Sequence, residues 1–274
     1  MTVAIDLPKL YRRAINFWVE DALTSEYLRD VWRAPQVLCL ISGSTDSIRP
    51  AVHDARRHRQ ANVFGICDRD FHETNYQRWA NPDVWVFVLP VHEMENYVID
   101  PAALAGSEAN TNGRTQPAIE MRMRERATEL VWWMACRHTI KRLRNLCWDN
   151  FIPVPKPTGV TDLRSAVEHI VNSNWYGGFP GNTAQIVQPT QIEAWVAEAE
   201  SGYAADLANG NWLRSFAGKE LLRVARGYIY QQPRPAPSSA QDLDVAKSVA
   251  SWQVENGRVP SELNELLAAI QDKI

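Results

Sequence analysis

The chain has 274 residues, of which 45% are hydrophobic and 22% charged, with a formal net charge of -3. That composition suits a globular protein with a substantial core, in one large domain or two modest ones. It excludes the general basic coat of a nucleic-acid-binding protein, and no apolar run approaches the roughly 20 residues that a membrane helix needs.

The N-terminus has no basic segment followed by an apolar one, so the expectation is a cytoplasmic protein without a secretory signal. Cys39, Cys67, Cys136 and Cys147 form no CxxC pair and predict reduced, mostly buried thiols. The 11 tryptophans are scattered, which suits core or interface anchors better than a stacking platform.

In chain order, residues 15–19 form a short apolar run, followed by a helical stretch from Thr24 to Trp32. A second run over 37–41 closes on Ser42-Gly43-Ser44, and a helix is expected from Ser47 to Arg59. Residues 62–67 and 84–89 are the third and fourth runs. The polar connection between them, Asp68 to Asp83, has weaker helical character. Short β-branched and aromatic runs with helices between them predict an α/β fold built on a largely parallel sheet.

After Pro101 the pattern turns helical. Ser107–Pro117 reads as a polar loop. Ala118–Trp148 reads as one long helix or two, with Trp132, Trp133, Ile140 and Leu143 available for a buried stripe. Pro153–Pro157 breaks the chain, and Thr161-Asp162 opens another helix with a good cap. Residues 172–189 are Gly-, Asn- and Pro-rich and predict a loop. Helices are expected over Gln191–Leu207, Trp212–Tyr230, Gln241–Glu255 and Ser261–Ile270, with Pro233–Pro237 as a stiff linker. Between Arg114 and Arg144 stand eight Lys/Arg residues against three Glu. This stretch is either a local phosphate-binding surface or, more ordinarily, a solvated helix face.

Acidic residues follow the carboxyl ends of the predicted strands. Glu20 follows the first, Asp68 and Asp70 the third, and Glu93 and Glu95 the fourth. In an open parallel sheet those ends share one edge, where ligand sites form. Clustered carboxylates repel and raise one another's pKa unless a cation neutralises them. Mg²⁺ suits such a cluster because it takes hard oxygen ligands and keeps waters for a phosphate substrate. Two ions roughly 3.5–4 Å apart would stabilise both the attacking and the leaving oxygen of phosphodiester cleavage. Taken singly, a carboxylate after a strand is more often a helix N-cap. His72 and His92 flank this edge, where they could contact a phosphate or shuttle a proton; a surface or N-cap histidine is the commoner case.

Taken together, Trp18-Val-Glu20, Ile41-Ser-Gly43 and Gly65-Ile-Cys-Asp68-Arg-Asp70 resemble the Toprim domain, in which a Glu, a Gly and a DxD end the first three strands. Phe64-Gly-Ile-Cys-Asp-Arg-Asp and Glu95-Asn96-Tyr97 are most similar to OLD-related nucleases, including the Toprim effector subunits of PARIS-type phage-defence systems. The likeness covers residues 15–104, and Ala217-Gly-Lys219 looks like a late Gly-Lys motif of the same group.

The resemblance implies a Toprim-like parallel sheet flanked by helices, with a mainly helical C-terminal half. Its domains would be a metal-binding domain over 1–105, a helical region over 106–232 packing on it, and a linker with C-terminal helices over 233–274. It implies catalytic roles for Glu20, Asp68, Asp70 and Lys219, and Mg²⁺ or Mn²⁺ held by Glu20, Asp68, Asp70 and Glu95. The ordinary alternative for Lys219 is an exposed lysine on a helix. Implied partners are a nucleic-acid substrate (RNA, tRNA included, or DNA), an ABC-type ATPase subunit and a second copy in a homodimer, with no membrane. No Gly-x-x-x-x-Gly-Lys-Ser/Thr loop occurs, so an ATP site would be the partner's.

One departure stands out. The family commonly reads Glu-Gly-x-x-Asp after strand one, whereas this chain has Glu20-Asp21-Ala-Leu-Thr24. Asp21 or Glu26 would have to compensate for the missing acid. The alternative is therefore a catalytically inactive Toprim-derived interaction or sensor subunit. A DxD phosphatase acting on small phosphoesters is a third reading.

Overall fold

The computed structural model describes residues 10–71, 84–147, 152–174, 176, 183–230 and 238–271. His72 and the Pro233–Pro237 linker lie outside them. The protein is α/β, with a four-stranded parallel sheet flanked by helices and a helical C-terminal half. Its strands are β1 (Ile15–Val19), β2 (Val37–Ile41), β3 (Val63–Cys67) and β4 (Val86–Val88), in the order β2-β1-β3-β4. All three pairings are parallel. Every carboxyl end therefore lies on the same edge.

Alternation along the strands decides which helix each face meets. Phe17, Phe64 and Phe87 are fully buried on β1, β3 and β4, with successive ring centroids 6.1 Å apart. Burial of each ring is worth roughly 1.5–3 kcal/mol. Helix α1 (Ala22–Trp32) covers this face, and its Trp32 ring lies 5.4 Å from Phe17. On the opposite face, helix α2 (Thr45–Arg57) packs Ile48 and Val52 over Val63 and Cys67. A Cβ at Gly65 would come within 2.5 Å of Ile48 Cγ2, so glycine lets α2 approach the middle of β3.

The fourth expected strand is shorter than its apolar run, because Leu89 and Pro90 already belong to the connection toward helix α3 (Glu95–Val98). Helix α4 (Pro101–Gly106) follows, capped by the Asp100 side chain. The segment that reads as one helix or two is one, α5 (Gln116–Cys147). Of its expected stripe, Trp133, Ile140 and Leu143 are buried, and Trp132 is only partly so.

Helix α6 (Leu163–Val171) carries the expected cap as a reciprocal box between Asp162 and Ser165. The predicted loop over 172–189 contains a short helix, α7 (Thr183–Ile186), and α8 (Pro189–Asn209) begins at its proline. The helix expected over Trp212–Tyr230 is broken. Helix α9 (Trp212–Ser215) stops at Phe216, whose backbone is extended, and α10 starts anew over Gly218–Ile229. Helices α11 (Ser238–Glu255) and α12 (Ser261–Gln271) complete the described chain.

Two compact units result: residues 1–119 together with 218–274, and residues 120–217. The chain thus returns to the sheet unit at Gly218. There α11 packs on α1 and α3, and α10 packs on α3. The buried Gln253 side chain accepts from Tyr27 Oη at 2.7 Å and donates to the Tyr97 carbonyl at 3.0 Å, tying α11 to both. Among the described residues, no helix is long and apolar enough to cross a membrane. Cys39, Cys67 and Cys136 are free thiols, each pushed up to about 12 chiefly by burial.

Candidate metal centre

The candidate centre lies wholly within the sheet unit. Glu20 directly follows β1, and Gly43 lies just past β2 in a left-handed turn, φ 84°. The Gly43 N–H donates to the Glu20 carbonyl at 2.9 Å, holding the two strand ends together. From the first turn of α2, Thr45 Oγ1 donates to Glu20 Oε2 at 2.7 Å. This bond holds the Glu20 carboxylate itself, and nothing in the sequence pointed to it. Ser/Thr-rich turns are too common to single out Thr45.

Asp68 directly follows β3, and Asp70 sits two residues on in the left-handed region, φ 46°. The chain segments after β3 and β4 run side by side. Leu89 N–H bonds to the Cys67 carbonyl at 3.0 Å, and Asp70 N–H to the His92 carbonyl at 2.8 Å. His92 Nδ1 donates back to the Asp70 carbonyl at 2.8 Å, and the Met94 N–H donates to Asp68 Oδ1 at 3.0 Å. These bonds bury polar backbone that would otherwise need water. They also fix where the carboxylates stand. His92 is 1% exposed and packs edge-on against the Phe71 ring, 4.9 Å between centroids, so it is neither a surface nor a capping histidine.

Asp68, Glu93 and Glu95 are all buried. Burial raises the Asp68 carboxyl well above the ordinary range; Glu95, Glu93 and Glu20 add to the rise, and Lys219 partly opposes it. Glu95 is pushed up to about 8, first by burial and then by Glu93 and Asp21, again against Lys219. Like charges in a low-dielectric site cannot all ionise without a cation.

Lys219 supplies one positive charge. It lies in the first turn of α10 with its side chain exposed, as the ordinary alternative expected, although its backbone reaches into the cluster. Its backbone N–H donates to Glu93 Oε2 at 2.8 Å, and its Nζ lies 3.9 Å from Asp21 Oδ2. Burial alone would pull the ammonium down, but Glu95, Glu93, Asp68 and Glu20 outweigh that and hold it above the ordinary lysine range. Gly218 makes the approach feasible, because a Cβ there would lie 2.8 Å from Asn96 N and 2.9 Å from Glu95 Cβ. The sequence pointed to the Gly-Lys pair but gave no sign of the helix break that delivers it.

The expected ligands divide between two neighbourhoods. The charges of Glu95, Glu93 and Glu20 are felt at Asp68, together with that of Lys219. Asp70 instead joins His92 and Glu93, whose ligand atoms all lie within 4.8 Å of one another. Glu93 was noted in the sequence as a strand-end acid but left out of the ligand set. It belongs to both neighbourhoods. An imidazole nitrogen with two carboxylates is a mixed donor set that Mn²⁺ accepts more readily than Mg²⁺.

The two candidate substitutes for the acid expected at position 24 differ: Asp21 reaches the centre through Oδ2, 3.9 Å from Lys219 Nζ, whereas Glu26 is engaged elsewhere. Asp21 caps α1 by accepting from the Thr24 N–H at 2.9 Å, and Thr24 itself is buried. Glu26 pairs with Lys247 at 3.0 Å and with Arg29. The basic stretch over 114–144 is largely engaged as well. Arg122 and Arg126 pair with Glu125 and Glu129, Arg142 with Glu198, and Arg137 stacks on Trp133. Pairings of this kind suit an ordinary solvated helix face, and the stretch keeps its excess of positive charge.

Comparison of the sequence with protein-family models and with the curated proteins finds no match.

Proposed function

We propose that this protein is a metal-dependent phosphodiesterase of the Toprim type, acting on RNA, tRNA included, or on DNA. The observation behind this reading is the meeting of Asp68, Glu93 and Glu95, all buried, with Glu20 and Lys219 at the carboxyl edge of one parallel sheet. The strand-end positions of Glu20, Gly43 and Asp68 agree with the likeness read from the sequence. The donor set fits a divalent cation, since buried carboxyls pushed upward by mutual repulsion regain their charge when one binds.

Asp68, Asp70, Glu20 and Glu95 are the ligands the resemblance suggests, and His92 and Glu93 lie within the same centre. The ion would neutralise charge that builds on the phosphate oxygens and orient the scissile group. The protein's own groups do the rest. Thr45 holds Glu20 where it can accept a proton, and Lys219 presents a positive charge toward an incoming phosphate.

By the same resemblance the protein would be the effector of a phage-defence system, controlled by an ABC-type ATPase partner. Purified protein with Mg²⁺ or Mn²⁺ should cut total tRNA, single-stranded RNA or plasmid DNA. Glu20→Ala and the double variant Asp68→Ala/Asp70→Ala should cut none of them. Cutting that survives in both variants would refute the proposal.

A second reading rests on Thr24. With Asp21 Oδ1 committed as a helix cap and Glu26 paired with Arg29 and Lys247, only Asp21 Oδ2, beside Lys219, is left to stand in for the family's second acid. An inactive interaction or sensor subunit would then bind the partner without cutting. It would gain no thermal stability from Mn²⁺ that depends on Asp68 and Asp70.

A further inference from the structure

Parallel pairing gathers the amino ends of the strands on one edge, opposite the carboxylates. The segments entering β1, β2 and β3 are bonded together there. Ile15 N–H donates to the Gln36 carbonyl at 3.0 Å, Asn16 N–H to the Asn62 carbonyl at 2.9 Å, and the Asn62 side chain to the Arg13 carbonyl at 2.8 Å. These segments carry Arg12 and Arg13, then Arg33, then Arg57 and Arg59, all exposed. None of these guanidinium groups meets a carboxylate among the described residues. By contrast, Arg29, Arg122, Arg142, Arg164 and Arg226 are all paired with acids. Asp54, exposed on α2, faces His58 Nδ1 at 3.7 Å.

Two of these arginines stand where the backbone favours glycine. Among the described residues, Arg33, Arg59 and Asp70 alone combine a side chain with positive φ, at 47°, 61° and 46°. Arg33 closes α1, its N–H donating to the Arg29 carbonyl. Arg59 follows α2 in a reciprocal turn. Its N–H donates to the Arg56 carbonyl at 3.0 Å, and the Gln60 N–H to the Ala55 carbonyl at 3.0 Å. Such helix ends take glycine, and after it asparagine, with least strain. Arginine at both is a cost to the fold that no ion pair offsets.

We infer that this amino edge binds the phosphate backbone of a nucleic acid. The choice of occupant rests on the substrate class proposed above. Planar guanidinium forks match phosphate oxygens, and unpaired ones are free to do so. Neighbouring strands lie about 4.8 Å apart, so the order β2-β1-β3 sets Arg33, Arg12–Arg13 and Arg57–Arg59 in a row about 10 Å long. A membrane surface fits less well, because Ile41, Met121, Leu146, Val154 and Ile186, the large apolar side chains that are exposed, lie outside these segments. Five-residue strands rising about 3.3 Å per residue separate the row from the carboxylates by roughly 17 Å. A tRNA or a duplex can reach both edges; a dinucleotide cannot. The row therefore holds a long substrate without touching the phosphate that is cut.

Binding of labelled tRNA, single-stranded RNA and duplex DNA to the full chain in EDTA, across a range of salt concentrations, tests this. Without metal the carboxyl edge repels a phosphate backbone, so the binding that remains reports on the arginines. Arg12→Gln/Arg13→Gln and Arg33→Asn/Arg59→Asn should each make the plot of log affinity against log salt shallower by about 2, and weaken binding about tenfold or more at low salt. Arg122→Gln, whose partner is Glu125, should change neither. Thermal unfolding adds a readout that a merely structural role would not give. Arg33→Asn/Arg59→Asn should melt no lower than the wild type, since asparagine suits both left-handed turns better. No binding by the wild type, or unchanged binding in both double variants, would overturn the inference. The metal-centre reading would then still stand or fall on cleavage that depends on Asp68 and Asp70. Binding lost in both double variants of a protein that cuts nothing would support the inference and count against the nuclease.

Discussion

Glu93 accepts the backbone N–H of Lys219 at 2.8 Å across a sequence separation of 126 residues. The bond joins the loop after β4 to the first turn of α10, and so attaches the late part of the chain to the edge where the carboxylates gather. Whatever the centre does, its charge balance depends on that attachment.

Gly218→Ala probes it directly. The added Cβ would meet main chain at Asn96 N, 2.8 Å away, and backbone cannot swing aside as a flexible side chain can. The expected loss is about 1–3 kcal/mol, the usual effect of overpacking. Lys219 should move with it, weakening Mn²⁺-dependent cleavage. Gly43→Ala is the contrast. That site is open but has φ 84°, so the loss should be about 1–2 kcal/mol from backbone strain alone. Thermal unfolding and cleavage assays on the two variants distinguish crowding at the centre from strain in a turn.

The pH dependence of stability follows from Glu95. Its carboxyl is raised to about 8 from an ordinary value of 4.5, so between those values the folded state holds a proton that the unfolded state has released. The associated stability is full below pH 4.5 and is lost as pH rises through 8. Asp68, also raised, acts in the same direction. Metal-free protein should therefore unfold more readily at pH 8.5 than at pH 6, and Glu95→Gln should flatten the difference. Saturating Mn²⁺ should reverse it by stabilising the ionised forms. A metal-free stability that rises across this range would contradict the assignment.

Thr45 offers a subtler test. Its hydroxyl is 2.7 Å from Glu20 Oε2, and Thr45→Val removes the donor while keeping the shape. Partners that orient a functional carboxylate typically contribute 10–100-fold. We expect about a tenfold fall in cleavage rate for Thr45→Val, recovery in Thr45→Ser, and little change in melting temperature for either.

Gln253 is a stability prediction away from the centre. Gln253→Leu strips the Tyr27 hydroxyl and the Tyr97 carbonyl of their buried partner. Each unsatisfied group costs about 1–3 kcal/mol. Tyr27→Phe should cost less, because only one group is left stranded, and chemical denaturation of the two single variants would rank them.

The sheet was legible in the sequence because its signals are local. The Ile15–Val19 and Val37–Ile41 runs are the strands, and Asp68 could be placed on the shared edge from the end of the third run. Asp162 caps its helix as expected, as short polar side chains before apolar periodicity do, whereas the cap at Asp21 went unread. What could not be read depends on contacts distant in sequence. Phe216-Ala-Gly218 has no proline to announce a break, and the helix that restarts at Gly218 gives its Lys219 N–H to Glu93, a partner 126 residues away in sequence. Asp70 and Asp68 are two residues apart in a DxD, which suggests one shared site. A left-handed backbone angle turns them to different neighbours, and residue type alone does not encode that. The inward placement of His92 likewise depends on the pairing of the two loops, and periodicity cannot reveal it.

The break at Phe216 also bears on how the protein is made. Residues 15–98 carry the whole sheet and every carboxylate of the cluster, yet the lysine that offsets them is residue 219, and Gln253 lies later still. At synthesis rates of about 5–20 residues per second, the acidic edge exists for several seconds before its lysine emerges from the ribosome. During that interval the acidic edge lacks the ammonium that opposes the mutual repulsion of its carboxyls. Completion of the centre is thereby tied to completion of the polypeptide, and a chain cut short before Gly218 would have its acids but no assembled site.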